Sequence, residues 1–198
     1  AGETVPEIRF QGFADDWEQH EFSKIYAKNT ERNRGQFSMD RTISIANMYF
    51  NREGNGASKK SIENYKVLRT GDIAFEGHQS KYFSYGRMVM NDIGDGIMSP
   101  RFTTLRPINK QIVPFWKILI HYEPIMKYIL VRSTKKGTMM NELVVDDLMK
   151  NSILVPEERE QKEIGSFFKQ LDGIIAARQR QLELLKEQKK GFLQQMFV

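Results

Sequence analysis

The chain has 198 residues, enough for one sizeable domain or a domain with an appendage but cramped for two, since single domains cluster around roughly 100 to 200 residues. Its 40% hydrophobic, 11% aromatic and 28% charged residues exclude disordered, collagen-like and low-complexity classes. With no cysteine, disulfide frameworks, thiol nucleophiles and Cys-bearing metal sites are excluded and a reducing, cytoplasmic setting is expected, while the net charge of +5 permits a polyanionic partner without demonstrating one.

Along the chain the charge is uneven. Residues 1–40 carry 5 basic and 8 acidic side chains, residues 41–150 carry 17 and 10, and residues 151–198 carry 8 and 7, so the net values are −3, +7 and +1. Between Asp95 and Glu142 the one acid is Glu123, against Arg101, Arg106, Lys110, Lys117, Lys127, Arg132, Lys135 and Lys136. A polyanion-binding surface would draw on this middle stretch; a solvated basic face is the alternative.

The runs Thr42-Ile43-Ser44-Ile45, Ile73-Ala74-Phe75, Arg87-Met88-Val89-Met90 and Phe102-Thr103-Thr104-Leu105 read as short strands. Turn signals at Thr70-Gly71-Asp72, Gly94-Asp95-Gly96 and Arg106-Pro107 separate them. Phe115, Ile118, Leu119 and Tyr122 share one helical face, and Pro124 opens a second helix through Met126, Ile129 and Leu130. A last strand, Ser152-Ile153-Leu154-Val155, is closed by Pro156.

Glu157, Glu158 and Glu160 then suit the first turn of a helix and its dipole. Ile164, Phe167, Leu171, Ile174, Arg178, Leu182, Leu185, Lys189, Phe192 and Met196 recur at steps of three and four, a heptad seam with one additional four-residue step. A helix from Glu157 to near the end would be roughly 60 Å long. That is too long to bury one face on a domain of this size, so a partner helix is predicted. The fold class is α+β, with a mixed globular domain over residues 1–155 and a long C-terminal helix over residues 156–198. The aliphatic stretches fall short of the roughly 18 residues a membrane span needs, and no membrane partner is expected.

No pattern for chemistry emerges. His20, His78 and His121 are isolated and lack ligand spacing, so no metal site is predicted. There is no phosphate-binding loop and no GxGxxG fingerprint; Gly94-Asp95-Gly96 reads as a turn. A DNA methyltransferase would need a cofactor loop and an Asn-Pro-Pro-aromatic segment, and neither is present. Asp147 with Glu160-Gln161-Lys162 has a nuclease-like spacing, but the latter residues open the long helix, where such pairs are ordinary. No cofactor and no catalytic residue are predicted, and the chain reads as a binder.

The segments Val5-Pro6-Glu7-Ile8-Arg9-Phe10-Gln11-Gly12-Phe13, Asp15-Asp16-Trp17-Glu18, Leu68-Arg69-Thr70-Gly71-Asp72-Ile73 and Met98-Ser99-Pro100-Arg101-Phe102, with the helix from Pro156 to Phe197, resemble the DNA specificity subunit of type I restriction-modification enzymes. Such subunits usually hold two target recognition domains, each followed by a conserved helix, and the helices pair as an antiparallel coiled coil. The resemblance therefore implies one recognition domain and one spacer helix, the C-terminal half of a subunit, with a natural half-length subunit as the alternative. It implies double-stranded DNA, adenine methyltransferase subunits and a motor-nuclease restriction subunit as partners, with the chemistry on those other chains. It also implies self-association through Ile164, Phe167, Leu171, Ile174, Leu182 and Leu185.

DNA binding calls for cations at phosphates and planar or amide groups at base edges. Loops combining both hold Asn47, Arg52, Lys59 and Lys60; Gln79, Lys81, Tyr85 and Arg87; and Arg132, Lys135, Lys136 and Asn141. The last of these ranks first, because Lys135 to Asn141 resembles a family region that lies against DNA. A solvated loop side chain is the alternative for each residue. Trp17 and Trp116 are expected in the core. From another class, a coiled-coil assembly protein with a basic domain binding RNA or an acidic protein has the same gross features.

Overall fold

The structure, a computed structural model, describes residues 5–46, 48–53 and 56–197. It opens on β1 (Glu18–Glu21), the short helix α1 (Phe22–Ile25) and β2 (Tyr26–Lys28). The middle comprises β3 (Ile43–Ser44), β4 (Tyr49–Phe50), α2 (Lys59–Ile62), β5 (Lys66–Leu68), β6 (Ile73–Glu76), β7 (Arg87–Met90), β8 (Gly96–Met98) and β9 (Thr103–Pro107). Then come α3 (Val113–Leu119), α4 (Glu123–Ser133), the pair β10 (Thr134–Lys135) and β11 (Glu142–Leu143), α5 (Val145–Met149), β12 (Ser152–Val155) and α6 (Glu158–Met196).

Strand alternation places one sheet between two cores. The central sheet is antiparallel in the order β2-β9-β6-β7, with Ile73 opposite both Met90 and Leu105. Ile73, Phe75, Met88, Met90 and Leu105 face a core completed by Phe22, Tyr26, Trp116 and Leu130. From the other face Ala74 joins Ile43, Leu68, Met98 and Phe102, with Val89 packed against them. The period of two along β6 and β7 is what distributes these side chains between the cores.

The helices α3 and α4 carry proline in their first turns, where its missing N–H is harmless. Of the predicted faces they bury Phe115 and Leu119, and Met126, Ile129 and Leu130, together with Trp116, whereas Ile118 is partly buried and Tyr122 is 53% exposed. The tight turns predicted around Gly71 and Gly94 both need a left-handed backbone, at φ +91° and +112°. β1 pairs antiparallel with β12, placing Glu18 opposite Val155 and tying the start of the body to the strand before α6.

α6 is long, as predicted, and only its first turns touch the body. Glu160 is 1% exposed and accepts two hydrogen bonds from Arg9, each 2.7 Å. Phe167 meets the Phe10 ring edge-on at 5.7 Å, and Ile164 packs against the larger core. Ile164 therefore sits on the body, whereas Phe167, Leu171, Ile174, Leu182 and Leu185 are exposed along the same helix.

Candidate nucleic-acid interface

Two of the polar loops singled out in the sequence meet at one end of β6 and β7, and the turn between β3 and β4 comes up to them. Gly77 sits so close to the Asn141 backbone that an added Cβ would lie 1.8 Å from its carbonyl oxygen, and Asn141 N–H donates to the Gly77 carbonyl at 2.9 Å. Arg87 donates to the Ala46 carbonyl at 3.2 Å, bringing in the loop between β3 and β4. The sheet end thus joins segments far apart in sequence.

The predicted residues divide by environment. Asn47 and the Lys59 side chain lie outside the described residues. Arg52 and Lys60 are exposed and form no ion pair among the described residues. Gln79 donates to the Ser84 carbonyl at 2.8 Å, closing its own loop, and Lys81 projects from that loop near the Tyr82 ring. Tyr85 is half-buried against the larger core, and Tyr82, 73% exposed, is the ring that this loop offers to solvent. Arg87 is held by Glu76 at 2.6 Å. Arg132 and Lys136 are exposed and free of ion pairs among the described residues, whereas Lys135 lies 3.1 Å from Glu142, both well exposed. Asn141 is buried at the junction of two loops.

The Gly77–Gly86 loop is pinned although it looks flexible in sequence. Ser84 N–H donates to Glu123 Oε1 at 2.9 Å, from the start of α4. Phe83 lies between the His121 ring, at 5.0 Å, and the Arg87 guanidinium, at 5.6 Å. His121 in turn has Nδ1 3.0 Å from the Met88 carbonyl, so this histidine is a structural strut. Among the described residues no group of three metal-ligating side chains gathers anywhere.

Arg101 and Arg106 look alike in sequence and have opposite environments. Arg106 donates to both carboxylate oxygens of buried Asp72 and, at 2.6 Å, to Glu31. Arg69 completes the network by donating to Glu31 at 2.6 Å and Asp95 at 2.9 Å. The Asp72 hydrogen bonds hold the Arg106 guanidinium above its ordinary range, the Arg69 hydrogen bond holds the Glu31 carboxyl below its own, and burial pushes Asp72 up. These two arginines hold the sheet to its loops and are not available as a basic surface.

Arg101, by contrast, is exposed, with its guanidinium 4.7 Å from the Phe102 ring centroid and no ion pair among the described residues. It borders a cleft of about 460 Å³ lined also by Thr42, Ser44, Asn51, Glu76 and Ser99. The Thr42 hydroxyl is buried there without a hydrogen-bond partner among the described residues. An arginine stacked on an aromatic face keeps its edge donors free, the geometry that suits bidentate recognition of a guanine edge or a phosphate. Sequence alone did not favour Arg101, since only the fold reveals which of the two arginines lacks carboxylates.

The comparisons with known proteins agree with this picture of a binding module. A family model described as type I restriction modification DNA specificity domain matches residues 15–187. No curated protein matches the chain. Eight solved chains match it. One comes from work on the structural basis of complex assembly and conformational transition of the type I R-M system. It aligns with a TM-score of 0.52 at 16% identity, covering 92% of this chain and 48% of that one. At that identity the likeness is one of fold, and this chain spans about half the length of the solved chain.

Proposed function

Because the chain belongs to the family of type I restriction modification DNA specificity domains, we propose that it reads one half of a bipartite DNA target on behalf of an adenine methyltransferase and performs no chemistry itself. Residues 1–155 are the recognition unit and residues 156–198 the spacer helix. One observation carries this reading: the loops of Gly77 and Asn141 meet at one sheet end with Lys81 and Lys136 exposed on them, while α6 leaves the body with an uncovered apolar stripe.

Lys60, Lys81, Arg132, Lys135 and Lys136, flexible and exposed, position the phosphates. Arg52, Gln79, Arg87 and Arg101 are the base-edge candidates, and Asn47, outside the described residues, is a further one. Lys59, at the start of α2, completes the set with Tyr85 and Asn141. The stripe on α6 is covered by a second copy of the same helix, running antiparallel. Methyltransferase and motor-nuclease subunits then dock on the assembled pair.

Co-expression with the methyltransferase subunits, followed by methylome sequencing, tests the reading. Adenine methylation at a split motif that disappears when this chain is omitted is the expected result. The same methylation without the chain overturns it.

A further inference from the structure

α6 meets the body along its first turns, chiefly against α3, and there Gly165 lies hard against the α3 backbone. A Cβ on Gly165 would lie 2.8 Å from the Phe115 backbone nitrogen, 3.1 Å from Pro114 Cβ and 3.2 Å from the Pro114 carbonyl carbon. These partners belong to the first turn of α3, so they are backbone and ring atoms with no flexible end to swing aside. At about 100° per residue, Gly165 lies roughly 160° round the helix from Phe167. Phe167 and Glu160 face the Phe10 and Arg9 side chains, so the first turns of α6 are gripped from opposite sides. Beyond this grip α6 is exposed.

We infer that Gly165 is a positioning residue that fixes the angle at which α6 leaves the body, and through it the separation of two recognition units. The second half of this inference rests on the proposed pairing of spacer helices. Carbon atoms in contact settle near 3.5 to 4.0 Å, so a methyl at Gly165 demands a displacement of roughly 0.7 Å. The Arg9–Glu160 pair anchors the helix about 7.5 Å away along its axis, and its far end lies about 54 Å from that anchor. The resulting lever moves the helix end by about 5 Å. Base pairs in B-DNA are about 3.4 Å apart, so this is on the order of one base pair of spacing.

The chain has no native cysteine, so paired spin labels are unambiguous. Labels at Lys110→Cys with Lys186→Cys, and at Lys150→Cys with Lys186→Cys, diluted with unlabelled chain, report the angle by double electron–electron resonance. Gly165→Ala should move at least one distance by about 3 Å. Gly173→Ala, whose methyl meets nothing within 4 Å, should move neither. Phe167→Ala, which releases the opposite side of the grip, should broaden both distributions. In the assembled methyltransferase, Gly165→Ala should shift the preferred gap between half-sites by about one base pair.

Distances that superimpose on the unsubstituted chain, or a Phe167→Ala distribution of unchanged width, overturn the inference. So do distances that move with no change in preferred gap. If the unsubstituted assembly methylates no split motif, the DNA reading fails and the gap claim with it, while the distances still decide whether Gly165 sets the angle.

Discussion

Glu31 accepts from both Arg69 and Arg106, so a single carboxylate joins the two guanidinium groups that fasten β9 to the turns around Asp72 and Asp95. Its pKa is lowered chiefly by the Arg69 hydrogen bond, against the opposing effect of burial. A carboxyl depressed in the folded state stabilises the fold above its unfolded pKa, about 4.3, and that contribution is lost as pH falls through the lower folded value. Glu31→Gln should therefore cost about 2 kcal/mol in urea unfolding at pH 7, a figure typical of hydrogen bonds to charged groups. The gap should close as the pH drops below about 4. A gap that is the same at both ends assigns the loss to packing. Asp72, raised by burial, acts with the opposite sign, so the difference between proteins isolates Glu31 better than the shape of one curve. Among the exposed cations, Lys135→Ala with Lys136→Ala should weaken DNA binding for all sequences and reduce the salt slope by up to about two contacts. Arg101→Ala should instead change which base is tolerated at one target position, read from the methylome of the variant. An unaltered salt slope in the first case, or an unaltered motif in the second, removes that residue from the interface. Residue type alone could not separate Arg101 from Arg106, because the distinction lies in Glu31 and Asp72, which approach Arg106 only through pairings distant in the chain.

At the scale of elements, legibility followed local periodicity. The run Arg87 to Met90 became β7, α3 and α4 began near their prolines, and α6 followed its heptad spacing. β1 carried no such signal: Glu18, Gln19, His20 and Glu21 are all exposed, and the strand exists because β12 lies beside it. β4 was hidden for a related reason, since Tyr49 and Phe50 sit in a polar run read as a loop and pair with β3 only once the chain turns back. Along the predicted seam Phe167, Leu171, Ile174, Leu182 and Leu185 are exposed, whereas Ile164 turns to the body's core. Leu171 is 37% exposed and Leu182 52%, and the proposed partner helix would cover both. Leu171→Glu with Leu182→Glu should abolish self-association, because burying a carboxylate in a helical seam without a partner costs more than the seam returns. The melting of the mixed body should be unchanged, since α6 is exposed at both sites. Loss of body stability together with association would mean that the stripe serves the fold.

For the whole molecule, the distribution of charge and apolar surface predicts an assembly and not a monomer. The modest +5 is the sum of a +7 middle, in which Arg106, Lys117 and Arg87 are neutralised by neighbours, and flanks of −3 and +1. What remains free is spread over exposed loops and the outer faces of α2 and α4, and α6, near neutral, carries Ile174, Leu185, Phe192 and Met196 in solvent at 55% exposure or more. A stripe of this kind on a helix of 39 residues exceeds what a monomer ordinarily leaves in water. Two copies related by a two-fold axis would cover both stripes antiparallel and place identical recognition units at opposite ends. Such a pair should read a palindromic split target, one half-site per unit. Sedimentation at micromolar concentration should give a dimer of twice 23.2 kDa, and its association should be insensitive to salt because apolar contacts carry it. DNA binding by the same dimer should weaken steeply with salt, because cations at phosphates carry that contact. A monomer at that concentration, or a dimer that dissociates in moderate salt, would show that the stripe does not join two copies and would leave the second half of the target to a different chain.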